Sequence, residues 1–130
     1  MPERSNAING AEAMALMLQA YGVEHMFGLC GDTTLPFYDA LARLDHGITH
    51  FLTRDERHAA YMADGYARAT GKPAVVLVTS GPGAGNTITG IMTAHMDSVP
   101  MIVITGQQVS WMLGKDAFQE ADIFGITIPI

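Results

Sequence analysis

Cysteine is almost missing from this chain: Cys30 stands alone among 130 residues. No internal disulfide can form, and a single thiol suits a reducing compartment such as the cytoplasm. Basic residues are scarce too, 7 against 13 acidic ones for a formal net charge of -6, and no basic cluster offers a field to nucleic acid. No run of about 18 apolar residues is present to span a membrane. Met1-Pro2-Glu3-Arg4 also lacks the apolar stretch of a signal peptide. The expectation is a cytoplasmic protein with neither nucleic acid nor membrane as partner. His25, His46, His50, His58 and His95 pair with neither each other nor Cys30 at ligand spacing, so no metal site is expected within the chain. GxGxxG after the first strand, GxxxxGK[ST] and the GxSxG elbow are all missing, which removes the dinucleotide, nucleoside-triphosphate and serine-hydrolase fingerprints.

What the chain does have is apolar mass. It is 48% hydrophobic and 15% charged, which argues against disorder and allows one modest domain with a buried core. The most patterned stretch runs from Thr53 to Gly71. At 100° per residue, Glu56, Ala60, Ala63 and Ala67 share one arc of a helix, with Ala59 and Thr70 at its margin. Small side chains let a neighbouring backbone close in, so this face is expected to be covered, with a carboxylate at its head. Arg57, Tyr61, Asp64 and Arg68 make a second, polar arc that can face water, with Asp64 and Arg68 spaced as an i,i+4 ion pair. A buried carboxylate is costly without a partner. Glu56 must therefore open onto a helix mouth or hold a committed hydrogen bond, and this pattern alone leaves open whether it serves structure or chemistry.

Residues 1 to 9 read as a lead-in. Asn9 and Glu12 are spaced as a capping box for a helix that Gly22 ends, with Met14, Leu18 and Tyr21 on one side. Val23 to Leu29 reads as a strand and Cys30 to Leu35 as a turn. A second helix follows, with Pro36 in its first turn and Phe37, Leu41 and Leu44 turned to a sheet. Ile48 to Leu52 is a second strand, and the Glu56 helix after it closes at Gly71-Lys72-Pro73. Ala74-Val75-Val76-Leu77-Val78 is the continuous apolar run of a strand buried on both faces, and Pro100 to Gly106 reads as a fourth strand of the same type. Between them, Thr79 to Asn86 reads as a loop and the residues to about Asp97 as a helix. Strands alternating with helices predict an α/β domain of three layers, α/β/α, with a mainly parallel central sheet and right-handed crossovers. Beyond Gly106 come a loop to Lys115, a short helix over Asp116 to Phe124 and the start of a strand at Ile126 to Ile130. That apolar finish reads as a fold truncated from a longer polypeptide.

Ligands of parallel α/β sheets gather beyond the carboxyl ends of the strands. Four segments share that address: Cys30-Gly31-Asp32, Thr53-Arg54-Asp55-Glu56, Thr79 to Asn86, and Gly106-Gln107-Gln108. The glycines at 81, 83 and 85 permit close backbone approach, and Thr79, Ser80, Asn86 and Thr87 offer polar groups at a helix entrance where a phosphate could sit. A plain helix entrance packed on its neighbour is the competing reading.

Several segments together resemble the N-terminal, pyrimidine-binding domain of thiamin diphosphate-dependent enzymes, nearest the large subunit of acetolactate synthase. They are Gly22-Val23-Glu24-His25-Met26-Phe27-Gly28 with Leu35 to Leu41, Ala63-Asp64-Gly65-Tyr66-Ala67-Arg68-Ala69-Thr70-Gly71-Lys72-Pro73, Leu77 to Asn86, Met96-Asp97-Ser98-Val99-Pro100, Val103 to Gln107 and Asp116 to Asp122. The resemblance covers nearly all of the chain from about residue 10 and implies a thiamin diphosphate-binding fold. In that family the glutamate at position 56 hydrogen-bonds the pyrimidine nitrogen N1′. It favours the imino form of the ring, whose 4′-nitrogen takes the proton from thiazolium C2. The reaction implied is decarboxylation of pyruvate and transfer of the two-carbon unit to a second 2-oxo acid, with a place in branched-chain amino acid biosynthesis. Cys30 and Gly31, with Thr79, Pro82, Gly83 and Asn86, resemble the cofactor-binding walls; Gln107, Phe118 and Gln119 resemble residues on the substrate side.

The resemblance also implies what lies elsewhere. In the family, the diphosphate and its Mg2+ are held by a separate C-terminal domain, through a Gly-Asp-Gly opening that this chain lacks. The active site forms between this domain and the diphosphate-binding domain of a second subunit, which implies a homodimer or a dimer of dimers and an inactive fragment. Acetolactate synthases often carry proline at position 30, histidine at 55 and a small residue at 58, where this chain has Cys30, Asp55 and His58. Those departures leave room for a 2-oxo acid decarboxylase or acyltransferase of the same superfamily. A reading of another class is a non-catalytic α/β module for assembly or ligand sensing.

Overall fold

The computed structural model describes residues 7–130, and the first six residues of the lead-in lie outside them. Helix α1 (Gly10–Ala20) begins at the expected capping box. The Asn9 side chain accepts the Glu12 N–H at 2.9 Å, and Glu12 Oε2 accepts the Asn9 N–H at 2.9 Å. Its buried side differs from the one the sequence suggests: Ala15 and Leu18 enter the core while Met14 and Tyr21 stay exposed. The helix turns Ala15 and Leu18 into the core, with Ala11 partly covered beside them, and leaves Met14 and Tyr21 at the rim.

Strand β1 (His25–Leu29), helix α2 (Leu35–Arg43), strand β2 (Thr49–Leu52) and helix α3 (Glu56–Thr70) follow. Next come strand β3 (Ala74–Val78), the short helix α4 (Pro82–Asn86), helix α5 (Ile88–Met96) and strand β4 (Met101–Thr105). The strands pair in parallel in the order β2-β1-β3-β4. On one face Ala15, Leu18 and Phe37 pack on Met26, Val75 and Leu77; on the other Ala59, Ala63 and Ala67 pack on Phe27, Val76 and Val78. Every residue of β3 is buried, as its unbroken apolar run predicts. At roughly 1.5–3 kcal/mol for each fully buried Val or Leu, this strand anchors both layers.

Helix α3 buries the small-residue arc with Glu56 at its head. Its close neighbour is α5: a Cβ built on Gly90 would run into Ala60. Asp55 caps the helix, and Gly71, at φ +70, ends it. Asp64 departs from the water-facing arc expected of it. It is buried, and Arg68 bridges it to Asp97 at the end of α5, with Nε–Oδ2 2.8 Å and Nη2–Oδ2 2.7 Å.

Three further expectations are corrected. Residues Pro82–Asn86 form α4 rather than loop, because Gly81, at φ +50, turns the chain and Pro82 opens a helix whose first N–H needs no partner. Strand β4 is only partly buried, since it has a paired neighbour on one side alone and the α1 layer reaches Ile104 but leaves Ile102 exposed. Residues 116–122 form no helix; α6 (Ile123–Thr127) lies where a strand was expected to start. There the Asp122 carboxylate caps the Gly125 N–H at 2.8 Å and Thr127 Oγ1 donates back to the Ile123 carbonyl at 2.8 Å, so local polar groups override a short apolar run.

Candidate functional site

The strand order creates a crevice. From β1 the chain leaves through α2 toward β2; from the adjacent β3 it leaves through α4 and α5, on the opposite face, toward β4. The connections after β1 and β3 therefore diverge at their carboxyl ends, the switch point where open parallel sheets take their ligands. The floor of the crevice is tied together locally. Thr33 Oγ1 and Thr79 Oγ1 lie 2.9 Å apart, and the Ser80 N–H donates to Thr33 Oγ1 at 3.0 Å. On the far side of Thr33, a Cβ on Gly106, just past β4, would overlap its side chain. Thr53 closes the edge at β2, its backbone N–H donating to the Gly28 carbonyl at 2.8 Å and its hydroxyl at 3.2 Å.

Glu56 enters this crevice as the first residue of α3. It is 8% exposed, and Asn86 Nδ2 donates to its Oε2 at 2.9 Å. Both outcomes expected of a carboxylate on the small-residue face are thus met, a helix mouth and a committed partner. Its other oxygen, Oε1, accepts no hydrogen bond from the described residues. A Cβ on Gly83 would stand 3.2 Å from Oε1 and 2.6 Å from Thr79 Cγ2, and one on Gly31 would stand 2.7 Å from Thr79 Oγ1. Only residues without side chains fit those two places, so Gly31 and Gly83 let the Thr79 side chain pack close beside the carboxylate.

Of the residues singled out in the sequence, the structure gathers Gly31, Glu56, Thr79, Gly83 and Asn86 around this crevice. Cys30 and Pro82 are exposed on the connections that flank it. Gln119, at φ +56, joins through its backbone, because its carbonyl occupies the space a Cβ on Gly81 would need. Gln107 is exposed and opens on a separate cleft of about 460 Å³, shared with Asp116, Glu120, Asp122 and Phe124. Phe118 is 70% exposed, its carbonyl taken by Gln108 Nε2.

The start of α3 carries the departures noted in the sequence. Asp55 Oδ1 accepts both Arg57 N–H and Nε–H, at 2.8 and 2.9 Å, and its Oδ2 lies 2.6 Å from Nη2. The Arg57 side chain and backbone hydrogen bonds hold the Asp55 carboxyl well below the usual carboxylate range. His58 lines an open cleft of about 480 Å³ with Leu52, Arg54, Tyr61 and Met62. Beneath α2, Tyr38 Oη and His50 Nε2 lie 3.0 Å apart; burial raises the tyrosine above its ordinary range and lowers the histidine.

The role of Thr33 and the pairing of Asn86 with Glu56 escaped the sequence reading. Each acts through a partner far along the chain, 46 residues away for Thr33 and 30 for Asn86, and only the hydroxyl-rich Asp32-Thr33-Thr34 turn after a strand gave any signal for the first. Ser80 Oγ is buried in the floor without a hydrogen-bond partner among the described residues. Among the described residues no group of three or more His, Cys, Asp or Glu could hold a metal ion, and no helix is long and apolar enough to cross a membrane.

Known proteins are similar to this chain. Residues 8–126 match the family model of the thiamine pyrophosphate enzyme N-terminal TPP binding domain. The acetolactate synthase large subunit of Buchnera aphidicola subsp. Acyrthosiphon pisum is 55% identical over 123 residues, which cover 95% of this chain and 21% of that protein. The large subunit from Haemophilus influenzae is 54% identical over 123 residues, covering 95% and 21%. The isozyme 3 large subunit of Escherichia coli K12 is 52% identical over the same length and with the same coverage. The chain thus spans about a fifth of the length of the curated relatives it matches.

Proposed function

Because the chain belongs to the thiamine pyrophosphate enzyme family, as its N-terminal TPP binding domain, we propose that it supplies the cofactor-activating glutamate of an acetolactate synthase-like enzyme. That enzyme would decarboxylate pyruvate and pass the two-carbon unit to a second 2-oxo acid. The observation that carries the reading is Glu56: a carboxylate at the sheet's switch point with one oxygen held by Asn86 and the other without a hydrogen bond among the described residues. These residues fit an aminopyrimidine. A ring nitrogen needs one proton-sharing oxygen, and Glu56 Oε1 offers it at the switch point, beside Gly83. Bound there, thiamin diphosphate supplies an electron sink for the carbon–carbon cleavage of a 2-oxo acid.

The chain's own contribution is positional and electrostatic. Glu56 shares a proton with the ring nitrogen from a site partly shielded from water, where a hydrogen bond is stronger than in bulk. Cys30, Gly31, Thr79, Pro82, Gly83 and Asn86 form or flank the walls, and Gln119 closes one side at Gly81. Gln107 and Phe118, exposed outside this crevice, are assigned to the substrate side of the assembled site. The diphosphate and Mg2+ are assigned to a separate C-terminal domain on a second subunit of a homodimer or dimer of dimers. A lone thiol suits a cytoplasmic enzyme.

The test is Glu56→Gln in the full-length polypeptide. The variant should keep its fold and lose most C2 proton exchange of bound cofactor, followed by NMR; exchange at the wild-type rate would remove Glu56 from the chemistry. A second reading, a simple 2-oxo acid decarboxylase, is left room by Asp55 and His58, which depart from the usual acetolactate synthase residues and stand at the start of α3, Asp55 bound to Arg57 and His58 on an open cleft. Acetaldehyde without acetolactate from pyruvate would select it.

A further inference from the structure

The chemistry proposed for Glu56 needs the proton on one particular oxygen, and the structure shows what decides which. Glu56 Oε2 accepts from Asn86 Nδ2 at 2.9 Å, the one hydrogen bond the carboxylate receives from the described residues. An amide NH2 can only donate. A proton on Oε2 would have to turn away from that donor and would weaken the oxygen as its acceptor, so Oε1 is the favoured seat for any proton this carboxyl carries. Oε1 in turn lies beside Gly83, 3.2 Å from the place its Cβ would occupy, where the Thr79 side chain also fills the space. Asn86 reaches this position because Gly81 reverses the chain and Pro82 starts a single helical turn that ends on it.

From this we infer that Asn86 is a positioning residue: it fixes Oε1 as the proton-carrying oxygen of Glu56 and aims it at the pyrimidine nitrogen. The inference rests on the cofactor reading above and extends it to a residue that acts through Glu56. Asn86 brings no charge of its own. Its role is to make the two carboxylate oxygens unequal before any ligand arrives.

The experiment uses the full-length polypeptide with Mg2+ and compares, by titration calorimetry, thiamin diphosphate with an analogue that has C–H in place of the ring nitrogen N1′. The ratio of the two affinities reports the hydrogen bond to Glu56. Wild type should prefer thiamin diphosphate by about tenfold or more, the range of a bond to a charged group. Asn86→Asp keeps the shape but removes the donor and lets a proton settle between the two acids. It should reduce the preference to about twofold or less, while binding the analogue as wild type does. Asn86→Ala, run alongside in case the acidic variant misfolds, should lose the preference in the same way, and Asn86→Gln, which retains an amide donor, should restore part of it. A variant that keeps the full preference, or one that weakens both ligands equally as a structural defect would, overturns the inference while leaving the cofactor reading intact. A wild type with no preference would instead sink that reading, and this inference with it.

Discussion

The contact between α3 and α5 gives a sharp test of how Glu56 is held in place. A Cβ on Gly90 would lie under 3.0 Å from Ala60 Cβ and at 3.2 and 3.3 Å from that residue's carbonyl carbon and Cα, where ordinary contact begins at 3.4 Å. All three atoms are fixed to the α3 backbone, so no rotamer change can relieve the overlap. Gly90→Ala should therefore cost toward the upper end of the roughly 1–3 kcal/mol typical of overpacking, offset by up to about 1 kcal/mol of better helix propensity. A net loss of about 2 kcal/mol should lower the urea midpoint by on the order of 1 M. Ala60→Gly alone should also cost about 2 kcal/mol, from one lost buried methyl and one glycine inside a helix. Combined, the methyl merely changes sides of the same gap, and the double variant should lie within about 1 kcal/mol of wild type, far from the sum of the singles. The assay is urea unfolding of all four proteins. Additive losses, or a Gly90→Ala protein more stable than wild type, would show that α5 does not rest on Ala60 and that the tight helix pair is not what seats α3.

Two further outcomes follow from charge. Arg57 lowers the Asp55 carboxyl, so the stability it adds is complete above its unfolded pKa of about 4 and disappears as pH falls through the lowered folded value; the substitution Asp55→Asn leaves an amide oxygen that can still cap α3, so the variant should lose only the charge contribution near neutrality, and its acid unfolding curve should be shallower and converge with that of wild type below about pH 4. His50 is lowered by burial, so protonation works against the fold: its contribution is present above about pH 6.5 and is lost as pH falls, and its ring protons should titrate by NMR below that value, moving upward in Tyr38→Phe only if the ring gains solvent.

Much of this arrangement was readable in the residues, and the parts that were not share a cause. The β3 run, the Asn9 and Glu12 box and the arc from Glu56 to Ala67 all depend on neighbours in sequence, and each took the form its periodicity predicts. Errors came where neighbours distant in sequence decide. Met14 and Tyr21 are apolar enough for a core, yet proximity of α2 and the sheet favours Ala15. Asp64 looked like a surface charge until Arg68 was found spanning to Asp97. At the C-terminal end, alternating isoleucines suggested a strand, but Asp122 and Thr127 supply the hydrogen bonds of a helix. At the crevice, Glu56 announced itself as a charge on the wrong face; its pairing with Asn86 could not, because an asparagine at the end of a glycine-rich turn has many uses and the one it serves is set by the fold.

The hydroxyl of Thr33 has one more implication. It joins the segment after β1 to Thr79 and Ser80 after β3, and it abuts Gly106 after β4. The strand tips are thereby tied to one another directly, in addition to their links through the crossover helices. Insertions in those helices, or drift in how they tilt, can then be absorbed outside the crevice without moving its base, which leaves the outer layers of such a domain free to diversify around chemistry that stays put.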